Sequence, residues 1–214
     1  MEALIFGARG ALGGAIVDEL QQRQYRVHTH SHDQSIEALD AMPILDAVVW
    51  AQGINGADSI ADGFSEATYG AVMEANVTFV ARSMAHLLKI CRINNPARFC
   101  VLSSIWQDQA RTNKLSYTVS KAAVGGLVRS CAADLGNRGI LINAVLPGVV
   151  DTPMTRKNLS SEQIDSIAGA SALGHLPTPK DIATAVAFLI GPENRSITAQ
   201  SLAVDAGFSL VRGL

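Results

Sequence analysis

Charged residues are scarce in this sequence, and their scarcity excludes the most flexible classes of protein. Asp, Glu, Lys and Arg make up 17% of the 214 residues, whereas about 25% is usual. Hydrophobic residues reach 48%, which is enough apolar surface to offset the entropy lost on ordering the chain. A disordered adaptor is therefore excluded, and a globular protein with a large core is expected.

The sequence also lacks an excess of positive charge and any long hydrophobic run. Lys and Arg number 17 against 19 Asp and Glu, so no broad basic face is available to bind nucleic acid. The longest apolar stretches, such as residues 183–190, are much shorter than the roughly 20 residues of a membrane span. The N-terminus lacks the features of a signal peptide. We expect no nucleic-acid partner and no membrane association.

Cysteine is rare as well. The three cysteines, Cys91, Cys100 and Cys131, are an odd number and include no Cys-x-x-Cys pair. This pattern favours free thiols in a reducing compartment over a disulfide framework. The sequence is therefore expected to be that of a cytoplasmic protein.

Short aliphatic and β-branched runs alternate with segments whose apolar residues recur at spacings of three and four. Near-continuous apolar strands separated by helices are typical of a parallel sheet covered on both faces. The pattern predicts an α/β fold, a doubly wound parallel sheet of about six strands with helices on both faces. The predicted strands are residues 3–6, 25–30, 46–50, 98–103, 140–146 and 200–204.

No repeat, low-complexity tract or linker interrupts this alternation, so residues 1–214 are predicted to form a single domain. The loosest stretch is residues 151–179, which is polar and rich in proline. In a compact fold such an insertion is more often a lid than a linker, and we expect it to cover a substrate.

A glycine-rich turn directly follows the first predicted strand. Gly7, Gly10 and Gly13 lie between that strand and a predicted helix. Glycines here permit a tight turn, close approach of backbone N–H groups to a phosphate, and close packing of the helix on the strand. The helix N-terminus adds partial positive charge. The segment predicts a nucleotide-binding turn.

Tyr117 and Lys121 lie four residues apart, which places both side chains on one helix face. A nearby ammonium favours the phenolate of a tyrosine, and the pair can then supply an acid or a base near neutral pH. Taken alone, this spacing is more often an exposed helical turn. Ser104, at the end of the preceding strand, is expected to face the same crevice and bond a substrate oxygen.

Asn76 is polar within an otherwise apolar helical stripe of residues 65–90. A buried amide needs partners, so Asn76 either clamps nearby backbone or belongs to a polar network.

Together these features resemble the short-chain dehydrogenase/reductase family over the whole chain. The most specific match is Tyr117-x-x-x-Lys121, with a serine thirteen residues before it and residues 143–148 after it. The resemblance implies a Rossmann fold and hydride transfer between a nicotinamide dinucleotide and a carbonyl or alcohol. The other matching segments are the glycine-rich turn and residues 49–53, 76, 147–154, 179–183, 197–200 and 204–207.

The resemblance also implies a role for each matching residue. Tyr117 is the expected general acid/base, Lys121 lowers its pKa and binds the nicotinamide ribose, and Ser104 polarises the substrate carbonyl. Asn76 is expected to hold the water of a proton relay, and residues 147–152 to embrace the nicotinamide. The full set of expected cofactor contacts is Gly7, Arg9, Gly10, Leu12, Gly13, Ser31, Gln52, Gly53, Tyr117, Lys121, Pro147, Gly148, Val150 and Thr152.

Two segments depart from the family pattern. The glycine-rich turn has Phe6 in place of a threonine and Ala11 in place of the middle glycine, and the usual Asn-Asn-Ala-Gly is Trp50-Ala51-Gln52-Gly53. The glycine turn and residues 146–154 are also similar to dihydropteridine reductases, a divergent branch of the family. That branch usually lacks the catalytic serine, which is present here, so a pterin reductase is the less favoured alternative.

The end of the second strand bears on the choice between NAD and NADP. Enzymes that use NAD place an acid there to accept from the ribose 2′-hydroxyl. Ser31 occupies the matching position, and Arg9 in the glycine turn can meet a 2′-phosphate. NADP is therefore the predicted cofactor, with NAD as the alternative.

Three alternating histidines raise the question of a metal. His28, His30 and His32 share one face of a strand, which makes a metal site geometrically conceivable. No carboxylate or cysteine completes an obvious ligand set, and an exposed edge is the simpler interpretation. No metal is predicted.

The leading hypothesis is an NADP(H)-preferring oxidoreductase acting on a small, uncharged carbonyl or alcohol, in a pocket lined by residues 105–107. The rival is a dinucleotide-sensing or scaffolding protein with little catalysis. The family resemblance implies a homodimer or homotetramer. Only 39 residues separate Gly13 from Gly53, where the family usually has a further strand and helix, so the adenine side is expected to be reduced.

Overall fold

The alternation of apolar side chains along each strand decides how the sheet is buried. In the first strand, Leu4 and Phe6 face one layer while Ala3 and Ile5 face the other, and all four are buried. A sheet that is apolar on both faces requires helices on both, as crossover connections provide. The computed structural model describes residues 1–211 and has this layered arrangement; residues 212–214 of the predicted domain lie outside the described part.

Within the described residues, six parallel strands form one sheet in the order β2, β1, β3, β4, β5, β6. The bounds are Glu2–Phe6 for β1, Arg26–His30 for β2, Leu45–Trp50 for β3, Ile93–Leu102 for β4, Ile140–Pro147 for β5 and Ser201–Val204 for β6. Each predicted strand is present, although β4 begins at residue 93 and not 98. The predicted doubly wound α/β fold is confirmed.

Seven α-helices accompany the strands in residues 1–211. Helices α1 and α7 pack on one face of the sheet, α3 and α4 pack on the other, and α5 and α6 lie within the predicted lid. None of them is long and apolar enough to cross a membrane. Their bounds are Ala11–Gln22 for α1, Glu66–Met73 for α2, Phe79–Lys89 for α3, Leu115–Leu135 for α4, Pro153–Asn158 for α5, Ser161–Gly169 for α6 and Pro179–Ile190 for α7.

The strand order reverses between β1 and β3. From β1 the chain moves outward to β2, and it then returns to place β3 on the opposite side of β1. The helices that follow β1 and β3, α1 and α3, therefore lie on opposite faces of the sheet, and a crevice opens between them at the carboxyl ends of the strands, which is where open α/β sheets bind ligands. The glycine-rich turn lies between β1 and α1, at this crevice.

The connection between β2 and β3 is short, as the spacing of the glycines predicts. It contains one 3-10 helix, Ile36–Ala41, whose Leu39 is buried in the core. No further strand pairs with β2 among the described residues, so β2 is an edge of the sheet. The side of the crevice next to β2 is thus built from less chain than the side next to β4 and β5.

We expect Gly13→Ala to destabilise the ligand-free protein and Gly14→Ala to stabilise it. A Cβ at position 13 would lie 2.2 Å from the carbonyl oxygen of Gly7, and such overpacking typically costs about 1–3 kcal/mol. A Cβ at position 14 would lie 3.5 Å from the carbonyl oxygen of Ala8, an ordinary contact. Alanine is favoured over glycine in a helix by about 1 kcal/mol.

Thermal unfolding of the two variants without cofactor provides the measurement. The melting temperatures are expected to move in opposite directions from that of the unmodified protein. Equal melting temperatures for the two variants would show that the turn accepts a side chain at position 13.

Candidate active site

The loops after β1 and β3 meet so closely that only glycine fits between them. Gly7 has a φ of +79°, and a Cβ there would lie 2.5 Å from the backbone nitrogen of Gln52. Gly13 is equally confined, because it faces the carbonyl of Gly7. These contacts fix the glycine turn against the loop of β3 and leave backbone N–H groups at the crevice.

Helix α1 begins directly behind this turn and presents an uncapped N-terminus. Its N-cap is Gly10, which has no side chain to bond the first N–H groups, and no acidic residue stands in the first turn. Leu12 is partly buried against the core. The unsatisfied N–H groups and the helix dipole favour an anion here. These features fit the diphosphate of a dinucleotide.

Ser104 and Tyr117 come together at the carboxyl end of β4. Ser104 is buried just beyond that strand, and its Oγ accepts from the backbone N–H of Trp106 at 3.3 Å. Burial raises the pKa of the Tyr117 phenol above 10, and a hydrogen bond with Ser104 acts in the opposite direction. Ser103, by contrast, points its hydroxyl to the carbonyl of Lys121 at 3.5 Å and has a structural role.

Lys121 lies beneath Tyr117, one helical turn along α4. Lys121 is 4% exposed. Its Nζ lies 5.5 Å from the centre of the Tyr117 ring and donates a hydrogen bond to the carbonyl of Leu102 at 3.0 Å. Burial lowers the pKa of Lys121 to about 8, so it is still mostly an ammonium at pH 7. The pKa of Tyr117 is nevertheless raised and not lowered, because burial of the phenol outweighs its hydrogen bond with Ser104.

Asn76 is 2% exposed and serves as a backbone clamp. Its Oδ1 accepts from the N–H of Ile54 at 2.8 Å, and its Nδ2 donates to the carbonyl of Ile54 at 3.0 Å and to Ser120 Oγ at 2.9 Å. Both amide hydrogens are used by these partners, and the relay-water role expected for Asn76 stays a prediction. The helix predicted over residues 65–90 is interrupted here by a π-helical turn, Glu74–Thr78, between α2 and α3.

The segment after β5 packs closely against the end of β6 and the residue that follows it. A Cβ at Gly148 would lie 2.7 Å from Asp205 Cβ, so only glycine fits, and the N–H of Gly148 donates to the carbonyl of Val204 at 3.1 Å. Pro147 and Val150 are buried. Thr152 caps α5 by accepting from the N–H of Thr155 at 3.1 Å.

Arg9 and Asp33 form an ion pair at the outer end of the crevice. Their closest atoms are 3.5 Å apart, and the side chains are 71% and 55% exposed. Ser31 lies beside them, where its N–H and hydroxyl both donate to Gln34 Oε1. The sequence interpretation considered only position 31 and overlooked the acid at position 33.

Two of the three histidines, His28 and His30, are directed to separate partners. His28 Nε2 is 2.7 Å from Glu2 Oε2, and His30 Nε2 is 3.0 Å from the carbonyl of Ser35. In residues 1–211 no three His, Cys, Asp or Glu side chains are grouped so that they could hold a metal ion.

The departures in residues 50–53 have clear structural consequences. Trp50 is fully buried and donates from Nε1 to Ser83 Oγ at 2.8 Å, which ties β3 to α3. Gln52 extends beside the glycine turn, and both of its amide atoms are buried without a hydrogen-bond partner in the described part of the chain. An unpaired buried amide is costly, so this side chain fits a site completed by a polar ligand. The backbone of Gly53 is exposed next to Asn76 and Lys121.

Known proteins resemble this chain over most of its length. The sequence profile of a family described as Enoyl-(Acyl carrier protein) reductase matches residues 14–209. The 3-oxoacyl-[acyl-carrier-protein] reductase of Vibrio cholerae is 30% identical over 186 residues, covering 85% of this chain and 75% of that protein. The reductase of the same name from Rickettsia bellii is 30% identical over 237 aligned residues, covering 98% of this chain and 97% of that protein.

A solved structure also resembles this chain over most of its length. A variant of actinorhodin polyketide ketoreductase with NADPH has a TM-score of 0.87 and 25% identity, covering 98% of this chain and 97% of that one. The family match, the full-length relative and the parallel sheet with its crevice at the strand reversal agree with one another. The chain belongs to the short-chain dehydrogenase/reductase family of oxidoreductases.

Proposed function

We propose that this protein is an NADPH-preferring reductase of a small carbonyl compound. The observation that carries the proposal is the convergence of Ser104, Tyr117 and Lys121 beside the crevice at the strand reversal. Carbonyl reduction needs a hydroxyl, a phenol and a buried ammonium. Ser104, Tyr117 and Lys121 supply these three groups. Each is held by main-chain or helix geometry and not by a flexible loop.

The protonation states favour proton donation. Because burial raises its pKa, Tyr117 is a neutral phenol at pH 7 and can donate its proton to a carbonyl oxygen that is gaining negative charge. Ser104 is placed to donate a second hydrogen bond to the same oxygen. Lys121, mostly cationic at that pH, stabilises the phenolate left behind. NADPH, when bound, supplies the hydride.

The chain offers a matching set of cofactor contacts. The uncapped start of α1 and the turn at Gly7 and Gly13 would hold the diphosphate, and Gln52 would pair its buried amide with the cofactor. Lys121 would bind the nicotinamide ribose, and residues 147–152 would enclose the nicotinamide. Gly10, Leu12 and Gly53 would shape the same wall.

The names of the relatives support carbonyl reduction. The two bacterial relatives are 3-oxoacyl-[acyl-carrier-protein] reductases, and the related polyketide ketoreductase was solved with NADPH. A 3-oxoacyl thioester is therefore proposed as a second substrate class beside small carbonyl compounds. These three names do not support the sensing and pterin alternatives.

Three further features of the protein are proposed, namely its single domain, its lid and its oligomeric state. We propose that residues 1–214 form one cytoplasmic domain in which residues 151–179, with α5 and α6, close over the substrate. A homodimer or homotetramer built on the helices that carry Asn76 and Tyr117 is proposed from the family resemblance.

Tyr117→Phe is expected to lower kcat for carbonyl reduction by about 10²–10⁴-fold, because it removes the proton donor. NADPH binding should be retained, since the ring and its packing are unchanged. Steady-state turnover on a panel of carbonyls, with the NADPH Kd from calorimetry, measures both. Tyr25→Phe removes a phenol hydroxyl just before β2, away from the site, and serves as the control. Full activity of Tyr117→Phe would remove the assigned role, and NADPH binding without turnover by the unmodified protein would favour a sensor.

Arg9→Ala is expected to raise the KM for NADPH about 10- to 100-fold, the usual worth of a charge-assisted hydrogen bond, and to leave the KM for NADH unchanged. Asp33→Asn is expected to act in the opposite direction, since it frees Arg9 and removes a negative charge near the 2′-phosphate. Kinetics with both cofactors give the comparison. Higher turnover with NADH than with NADPH, or an unchanged NADPH KM in Arg9→Ala, would overturn the NADPH preference.

Gln52→Ala is expected to weaken binding of NADPH and NADH alike by about 2- to 10-fold, the net worth of one or two hydrogen bonds. The same change should not lower the melting temperature of the ligand-free protein, because the amide has no partner there among residues 1–211. Calorimetry and thermal unfolding distinguish the two effects. Gln21→Ala, on the exposed side of α1, is the control. A lower melting temperature with unchanged affinity would assign Gln52 a purely structural role.

A further inference from the structure

Asp58 is a buried carboxylate at the start of α4, and no part of the mechanism above uses it. It is 5% exposed, and it lies in the loop that leaves the crevice after β3. Its Oδ1 accepts from the N–H of Ser116 at 3.0 Å, its Oδ2 accepts from the hydroxyl of Ser116, and its carbonyl accepts from the N–H of Leu115 at 3.1 Å. Three hydrogen bonds thus hold the two residues that precede Tyr117.

Helix α4 needs such a partner because its own sequence supplies none. The N-cap position is Lys114, whose side chain makes no capping hydrogen bond and whose charge is unfavourable at a helix N-terminus. A carboxylate is the preferred group there, both as an acceptor for free N–H groups and as a charge. Asp58 provides it from a distant part of the chain, and Ser116 is completely buried by the contact.

The rest of the loop is fixed along its length. Asn76 holds Ile54 with two hydrogen bonds, and Lys114 Nζ donates to Asn55 Oδ1 at 3.0 Å and to the carbonyl of Gly56 at 3.2 Å. A Cβ at Gly56 would lie 3.3 Å from Ser116 Cβ, so the loop is packed tightly on the helix. The same loop begins at Gln52, against the glycine turn.

We propose that Asp58 is a positioning residue that sets the register of α4, and with it the phenol of Tyr117, relative to the cofactor crevice. The loop of residues 52–58 contacts the crevice at one end and the catalytic helix at the other. At the helix end, Asp58 accepts the hydrogen bonds from the first turn of α4. A displacement of about 1 Å at a reacting group can cost on the order of 10²-fold in rate, so a loosened first turn has a large kinetic effect. The proposal rests on the function proposed above.

Four variants test the assignment. Asp58→Ala removes both side-chain acceptors. Asp58→Asn keeps a carbonyl oxygen for the N–H of Ser116, and the serine hydroxyl can rotate to accept from the new amide. Ser116→Ala removes one hydrogen bond only and serves if Asp58→Ala does not fold. Asp62→Ala is the matched control, since Asp62 is an exposed carboxylate in the same connection.

Hydrogen exchange of the whole protein gives the first measurement and does not depend on catalysis. In Asp58→Ala, the amides of Leu115 and Ser116 are expected to exchange at least tenfold faster. Ser116 loses the carboxylate that accepts from its N–H, and the carbonyl of residue 58 that accepts from Leu115 is no longer held in place by the side chain. Amides in residues 122–135 should keep their protection. Asp58→Asn and Asp62→Ala should resemble the unmodified protein. Unchanged exchange at residues 115 and 116 in Asp58→Ala overturns the proposal.

Turnover at saturating NADPH gives the second measurement. Asp58→Ala, or Ser116→Ala to a smaller extent, is expected to lower kcat by about 10- to 100-fold at a temperature where the variant is fully folded, with the NADPH Kd unchanged. Asp58→Asn should restore most of kcat. A merely structural role would lower the melting temperature and leave the kcat of the folded protein intact, which would contradict the proposal. If the unmodified protein reduces no carbonyl, the proposed function fails, and the exchange experiment still decides whether Asp58 holds α4.

Discussion

The close packing of the two loops that follow β1 and β3 is the contact on which the rest of the structure depends. Gly7 and Gly13 leave no space for a side chain, and the backbone of Gln52 fills the remaining volume. Because of this contact, α1 starts beside the crevice with its N–H groups free, and the loop after β3 is directed toward α4. The loop of residues 52–58 thereby links the crevice to α4, because it packs against the glycine turn at one end and bonds the first turn of that helix at the other.

Burial is the main cause of the pKa shifts of Tyr117 and Lys121, the pair proposed to be catalytic. Burial raises the pKa of Tyr117 and lowers that of Lys121 to about 8, so both shifts favour the neutral forms. Near pH 7 the result is a protonated phenol above a cation, an arrangement suited to donating a proton. Keeping an ammonium at 4% exposure has a cost in stability, which the hydrogen bond to the carbonyl of Leu102 offsets only in part. Such a cost is common where function constrains a buried group.

Local sequence patterns predicted the elements and the residues within them, and they failed where partners lie far apart in the chain. The strand periodicity located all six strands, and the spacing of Tyr117 and Lys121 placed them on one helix face. Asp58 was missed because the residue it caps is 58 positions away and α4 itself has no capping signal. Asn76 was recognised as buried, but its partner Ile54 depends on the path of a loop that no periodicity describes.

The two halves of the crevice are stabilised by different kinds of interaction, and this difference separates chemistry from cofactor preference. On the side proposed to be catalytic, Asn76, Ser104 and Lys121 are buried, and hydrogen bonds connect Asn76 and Lys121 to distant backbone. On the side proposed for the adenine, β2 is an edge strand and the charges of Arg9 and Asp33 are exposed to solvent. Exposed pairs contribute little to stability and are screened by salt. Under the proposed function, substitutions at positions 9 and 33 are therefore expected to change the choice of dinucleotide, while the buried groups proposed to perform the reaction stay in place.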